Sequence, residues 1–273
     1  MVKELLIAGF PRSGTTWMAR MTADLFNAPL QDNPKNDPLI HFSRRISDEY
    51  IVRKTHHESI TRRKSGYSGG GCQYVYINRD PRDVLVSIKY FKHFGSYYDA
   101  MGYMNDHNYT RFMMDWWAKG GDFNISYERL HESGAMSLYI MKKMLTGKSS
   151  MDDANEVYDR HKFDNWKDKY PGTMREGTLG QWKSVFDIYI GKEFERQFGQ
   201  VMLNYGYTQH SDWWRELPDP NGILCVSCGI NGHDGLVTHN GYLCWDCYEE
   251  LESKAFHDGQ RKGSGAPVRN INE

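Results

Sequence analysis

Between a short apolar run and a stretch of helical periodicity stand Gly9-Phe10-Pro11-Arg12-Ser13-Gly14-Thr15-Thr16. A chain that turns there from strand into helix aims successive backbone N–H groups, and the positive end of the helix dipole, at one point. Such a turn is an anion cradle. The nucleotide-binding version of the motif needs Lys directly after its second glycine. Thr15 occupies that position, and the cation stands earlier, as Arg12. No mid-chain apolar run ends in an Asp placed to hold magnesium, so a kinase or NTPase would lack two parts it needs. An ordinary strand–helix turn is the plainer alternative.

Two further groupings could do chemistry. Lys54-Thr55-His56 closes a second extended segment. Imidazole titrates near neutral pH and can take a proton from a hydroxyl, although His57 is adjacent and a structural histidine is equally ordinary. Alternate residues of an extended chain share a face, which puts Lys54 on the side of His56. Near the C-terminus, Cys225-x2-Cys228-x15-Cys244-x2-Cys247 has the spacing of a four-thiolate zinc site. Two disulfides are the alternative, and His233 and His239 are alternative ligands. A four-thiolate tetrahedron leaves no open position, so its expected role is a structural cap, with docking of a protein partner as a further use.

The elements that must position these groups alternate. Residues 3–8, 50–54, 74–78 and 123–127 read as strands, the first a buried apolar run. Helical patterns follow Gly14, begin at Pro81, and cover 109–119, 135–145, 151–163 and 186–204. Strands alternating with helices predict a parallel sheet with crossovers. Leu217-Pro218-Asp219-Pro220-Asn221-Gly222 reads as a linker. The expected organisation is α/β: a P-loop-like parallel sheet flanked by helices over residues 1–216, a small zinc-stapled module over 221–255, and a tail without fixed structure over 256–273.

Composition sets limits on function. No apolar run approaches the ~18 residues a membrane span needs, and no secretory leader is apparent. The net charge of −1 argues against a general nucleic-acid binder. That charge is uneven: from Arg215 onward five Lys/Arg face nine Asp/Glu, so the cysteine-bearing end is acidic and the larger part slightly basic. Paired cysteines without a leader suit a cytoplasmic metal site better than disulfides.

Several segments together resemble one family. Pro11-Arg12-Ser13-Gly14-Thr15-Thr16-Trp17 is similar to the phosphosulfate loop of the sulfotransferases, where Lys is usual in place of Arg12. Lys54-Thr55-His56 resembles the segment carrying that family's catalytic histidine. The run Arg79-Asp80-Pro81-Arg82-Asp83-Val84-Leu85-Val86-Ser87 resembles its 3′-phosphate element. Ser126-Tyr127-Glu128-Arg129-Leu130 and the loop from Arg175 to Lys183 resemble two later motifs, with Glu176 where the family usually has Lys.

The resemblance implies transfer of a sulfuryl group from 3′-phosphoadenylyl sulfate (PAPS) to an acceptor hydroxyl or amine, leaving 3′,5′-bisphosphoadenosine (PAP). It implies His56 as general base, with Arg12 and Lys54 on the developing charge. Ser13, Gly14, Thr15, Thr16, Arg79, Ser87, Arg175 and Gly177 would hold the donor's anionic groups, and Trp17 and Tyr127 would pack around the adenine. Segments 28–48 and 93–107, with His41, Phe42, Phe94, Tyr97, Tyr98 and Tyr103, would wall the acceptor, a small molecule or a glycan. The competing expectations are a zinc-ribbon interaction protein on an inactive P-loop scaffold, and a nucleotide kinase.

Overall fold

The computed structural model describes residues 2–31, 49–56, 72–162, 165 and 177–219, together with the backbone of four short strands between 223 and 244. Two compact units emerge: Met1–Phe186 with Ile190–Arg215, and Asp187–Tyr189 with Glu216–Glu273.

The first unit is built on a four-stranded parallel sheet. β1 is Lys3–Ala8, β2 Tyr50–Thr55, β3 Cys72–Asn78 and β4 Phe123–Ser126, in the spatial order β2-β1-β3-β4. β1 lies between two neighbours, with Leu5 paired to Val52 on one side and to Gln73 on the other. Its residues Leu5 to Ala8 are fully buried, which is why its sequence is an unbroken apolar run rather than an alternation.

Helices α1 (Thr15–Phe26), α2 (Pro81–Phe91), α3 (Tyr97–Asp106), α4 (Tyr109–Lys119), α5 (Tyr127–Thr146) and α6 (Met151–Arg160) follow in chain order, with α7 at Ile188–Asn204. The core joins α1, α5 and α6 to the sheet through Trp17, Met18, Met21, Leu138 and Met141. Among the described residues, no helix is long and apolar enough to cross a membrane.

Local chemistry sets the element ends. Asp80 caps α2, its side chain accepting from the Arg82 N–H, and Pro81 occupies the first turn, where its missing N–H costs nothing. Ser96 and Asp99 form a reciprocal capping box on α3.

The structure corrects the reading of residues 123–145. Ser126 caps a helix by accepting from the Arg129 N–H, so Tyr127 opens α5 instead of closing β4, and the helix starts eight residues before position 135. A break at Ser133 divides its periodicity, which explains why only the second half reads as helical. α6 ends at Arg160, short of position 163. α3, whose crowded aromatics carry no clear helical period, was expected only as acceptor wall.

In the second unit the strands pair as two antiparallel ribbons, Ile223–Leu224 with Asn231–Gly232, and Gly235–Thr238 with Gly241–Cys244. Each Cys-x-x-Cys pair begins at or just after a strand end. Cys225, Cys228 and Cys247 lie outside the described residues, as do Arg175, Glu176, His41, Phe42, His57 and the tail from 256.

Candidate active site

The carboxyl ends of all four strands deliver candidate residues. From β1 the chain runs to β2 on one side, and the next strand, β3, returns on the other. This reversal opens a crevice at the end of β1, the place where α/β sheets receive ligands. β1 leads into the Gly9–Gly14 loop, β2 into His56, β3 into Arg79 and β4 into Tyr127.

The loop at the end of β1 is shaped by backbone demands. Gly14 caps α1 in the left-handed region, at φ +93°. A Cβ there would stand 2.5 Å from the Tyr127 ring. Gly9 is equally restricted: a Cβ would meet the Ile77 carbonyl at 2.6 Å. Arg12 also has positive φ, at 74°, a strained conformation for a side-chain-bearing residue and one that clusters at functional sites. Among the described residues, no side chain caps α1. The first amides of that helix therefore face the crevice without a protein acceptor from a cap, as an anion site requires.

Three cations converge on this loop. Arg12 donates from Nε to Ser87 Oγ at 2.9 Å, and its guanidinium lies 4.4 Å from the Phe91 ring centroid. Arg79 donates to the Arg12 carbonyl at 3.4 Å and to the Thr178 carbonyl at 3.3 Å. Lys54 reaches across from β2 and donates to Thr16 Oγ1 at 3.2 Å. Lys54 and His56 thus do share a side, both turned to the β1–α1 loop.

His56 contacts the Gly9 carbonyl through Nδ1, at 2.7 Å. A carbonyl can only accept, so Nδ1 carries the proton and the neutral ring keeps its lone pair on Nε2. That tautomer is the one a proton acceptor needs.

Arg79 is buried, with its guanidinium 4.4 Å from the Tyr127 ring centroid and 3.8 Å from the Asp83 carboxylate. Asp80, the other acid beside it in sequence, instead forms a bidentate pair with Arg82, which donates from Nε to Oδ1 and from Nη2 to Oδ2 and lies 3.8 Å from the Trp182 ring centroid.

Asp83 does more than balance charge. It accepts the Gly180 N–H at 2.7 Å and the Trp182 N–H at 3.1 Å, fastening the Gly177–Gly180 loop beside Arg79. Burial pushes its carboxyl above the usual range, against the pull of Arg79 and those amides. The sequence places Asp83 in the run that resembles the 3′-phosphate element but gives it no role of its own. Its place one helical turn after Arg79 on α2 was the available signal.

Trp17 and Tyr127 are buried against each other, ring centroids 5.7 Å apart, and the indole N–H donates to the His161 carbonyl at 2.7 Å. Burial raises the Tyr127 hydroxyl pKa. Gly177 has φ +65° in the late loop. Two buried polar atoms in the constellation, Ser13 Oγ and Arg79 Nε, have no hydrogen-bond partner among the described residues. Buried polar groups are rarely left so. With three cations and an uncapped helix start around them, these atoms fit a ligand carrying more than one anionic group.

Known proteins resemble this chain in sequence and in fold. Residues 3–206 match the sulfotransferase domain model. Mouse sulfotransferase 1E1 is 22% identical, over 73% of this chain and 83% of the relative. Cytosolic sulfotransferase 4 of Arabidopsis thaliana is 24% identical, over 73% of this chain and 72% of its own length. Among solved structures, mouse sulfotransferase SULT7A1 complexed with PAP superposes with a TM-score of 0.58 at 18% identity, covering 78% of this chain and 87% of that one. A retinol dehydratase in complex with androsterone and inactive cofactor PAP gives 0.54 at 17%, covering 73% and 80%. The matched span takes in all four strands and every residue described in the crevice, and the chain belongs to the sulfotransferase domain family.

Proposed function

We propose that this protein transfers a sulfuryl group from PAPS to a hydroxyl or amine of a small acceptor. The observation that carries the reading is the convergence of Arg12, Lys54, Arg79 and His56 on one uncapped helix start at the sheet's switch point. Bound PAPS supplies an activated sulfuryl group whose displacement leaves negative charge on a phosphate oxygen. Arg12 and Lys54 stabilise negative charge beside the loop, with the amides at the start of α1. Arg12 retains its proton throughout, so it serves as a fixed charge and not as an acid. His56 takes the acceptor's proton at Nε2 while the Gly9 carbonyl holds the ring.

Arg79 and Ser87, with Arg175 and Gly177 of the late loop, read the 3′-phosphate, and Ser13 to Thr16 hold the phosphosulfate end. Trp17 and Tyr127 form the wall toward the adenine. The cytoplasm is the expected compartment, in keeping with the name of the Arabidopsis relative.

The test is ligand-linked stability. PAP at about 1,000 times its dissociation constant is expected to stabilise the fold by roughly 4 kcal/mol, seen as a rise in melting temperature. ADP with magnesium is expected to give little. An equal or larger rise with ADP and magnesium, or none with PAP, overturns the reading.

The Cys225, Cys228, Cys244 and Cys247 set has a donor chemistry that fits zinc, and strand ends at Leu224 and Cys244 suit two thiolate-bearing turns. Atomic emission on the purified protein is expected to find about one zinc per chain, lost with dialysis against chelator under denaturing conditions. A metal-free folded protein contradicts this assignment.

A further inference from the structure

The face of α2 and α3 beside Arg12 carries two lysines without acidic partners among the described residues. Lys89 Nζ lies 5.0 and 5.2 Å from the centroids of Tyr90 and Tyr97, and Lys92 Nζ lies 5.7 and 5.2 Å from those of Phe91 and Tyr103. Among the described residues neither makes an ion pair or a hydrogen bond. Asp99, on α3, is committed to capping that helix, accepting from the Ser96 N–H and hydroxyl. Tyr90 and Phe91 are over 40% exposed, whereas Tyr76, Tyr109, Phe112 and Phe186 are buried.

This face is continuous with the candidate active site. The Phe91 ring has the Arg12 guanidinium at 4.4 Å and the Lys92 ammonium at 5.7 Å from its centroid. A ring-shaped acceptor lying on Phe91 would therefore have the donor loop at one edge and an unpaired ammonium at another. An ammonium resting over a ring is held only by the ring's quadrupole. A carboxylate or sulfate gives it a full opposite charge and a hydrogen bond, so it can exchange partners when an anion arrives.

We infer that the acceptor is a hydroxylated ring compound that already carries a carboxylate or sulfate, and that Lys89 and Lys92 read this negative group while Phe91 receives the ring. The inference deepens the proposed sulfuryl transfer and rests on it for the word acceptor. The rings position the two ammonium groups, and the distance of the anion from the reacting hydroxyl then sets which compounds fit. Neutral compounds of the same shape gain only the ring contact.

Calorimetric titration into the full-length, PAP-saturated protein tests it with matched pairs: 4-hydroxyphenylacetate against 4-hydroxyphenylacetamide, and a methyl glucuronoside against the methyl glucoside. The acid of at least one pair is expected to bind about tenfold tighter than its neutral partner, the effect of one charge-assisted hydrogen bond. Which pair responds tells an aryl acceptor from a sugar. Replacing both lysines (Lys89→Gln, Lys92→Gln) is expected to abolish that preference and leave PAP affinity unchanged. The Lys89→Arg, Lys92→Arg protein is expected to retain the preference.

Equal affinities within both pairs, no binding of any compound, or a preference that survives the Gln substitutions would overturn the inference. So would a parallel loss of PAP affinity, which would assign the lysines to the donor. PAP binding is measured first. Its failure brings down the donor assignment alone, and the same pairs titrated into the PAP-free protein still decide whether the lysines select an anionic ring.

Discussion

Replacing His56 by Ala is expected to lower turnover about 10²- to 10⁴-fold while leaving PAP affinity within about twofold of the parent, because the loss falls on proton transfer and not on anion binding. The geometry makes the separation clean. His56 leaves β2 beside the loop but spends its Nδ1 proton on the Gly9 carbonyl, whereas the two cations that serve the loop, Arg12 within it and Lys54 from β2, are anchored to Ser87 and Thr16. Removing the imidazole therefore leaves the charge cluster standing. Steady-state rates with saturating PAPS, beside a PAP titration of the same variant, give the two numbers. Should His57→Ala lose turnover and His56→Ala keep it, the base is the neighbouring residue. Should His56→Ala lose PAP affinity and turnover together, His56 is a support of the loop and not a base.

The sequence made this site visible because each motif begins where a strand ends. An all-parallel sheet brings the carboxyl ends of its strands to one edge, so loop residues far apart in the chain meet there. That is why Gly9 to Thr16, Lys54 with His56, Arg79 and Tyr127 are each recognisable one at a time, and why Lys54 and His56, two residues apart on an extended chain, both face the loop. The apolar run at Leu5 to Ala8 marked β1 as a buried strand. What periodicity does not carry is the lateral order of strands, since a parallel strand buried on both faces looks the same beside either neighbour.

Contacts made by backbone groups were equally hidden. The Asp83 clasp ends on the Gly180 and Trp182 amides, and Arg79 ends on the carbonyls of Arg12 and Thr178. Amides and carbonyls are identical at every position, so no residue type announces them. The start of α5 was misread for a related reason. Tyr127 continues the apolar alternation of Phe123 and Ile125, and only the Ser126 cap, a single hydrogen bond, turns it into the first residue of a helix.

Arg79→Ala is expected to weaken PAP binding by roughly 1.5–3 kcal/mol, about 10- to 150-fold, while adenosine 5′-phosphate, which lacks the 3′-phosphate, binds nearly as before. Competition titrations with the two nucleotides measure this difference directly, and an equal loss for both would show that Arg79 does not read the 3′-phosphate. The same substitution has a second consequence, because Arg79 stands 3.8 Å from a buried Asp83. Burial already raises the Asp83 carboxyl above its ordinary 3.8, and Arg79 is the largest influence pulling it down. Without the guanidinium the folded-state pKa rises further above the unfolded one. In that range the folded protein holds the proton that the unfolded chain has released, so stability falls as pH rises from about 4 through the folded pKa. The melting-temperature deficit of Arg79→Ala relative to the parent is thus expected to be larger at pH 8 than at pH 5. Arg79→Lys, which keeps a cation near Asp83 but loses the two-pronged geometry, is expected to recover most of the stability and little of the PAP selectivity. A deficit that is the same at both pH values would mean that Asp83 is balanced by the Gly180 and Trp182 amides alone, and that Arg79 is held at the site for the ligand rather than for the fold.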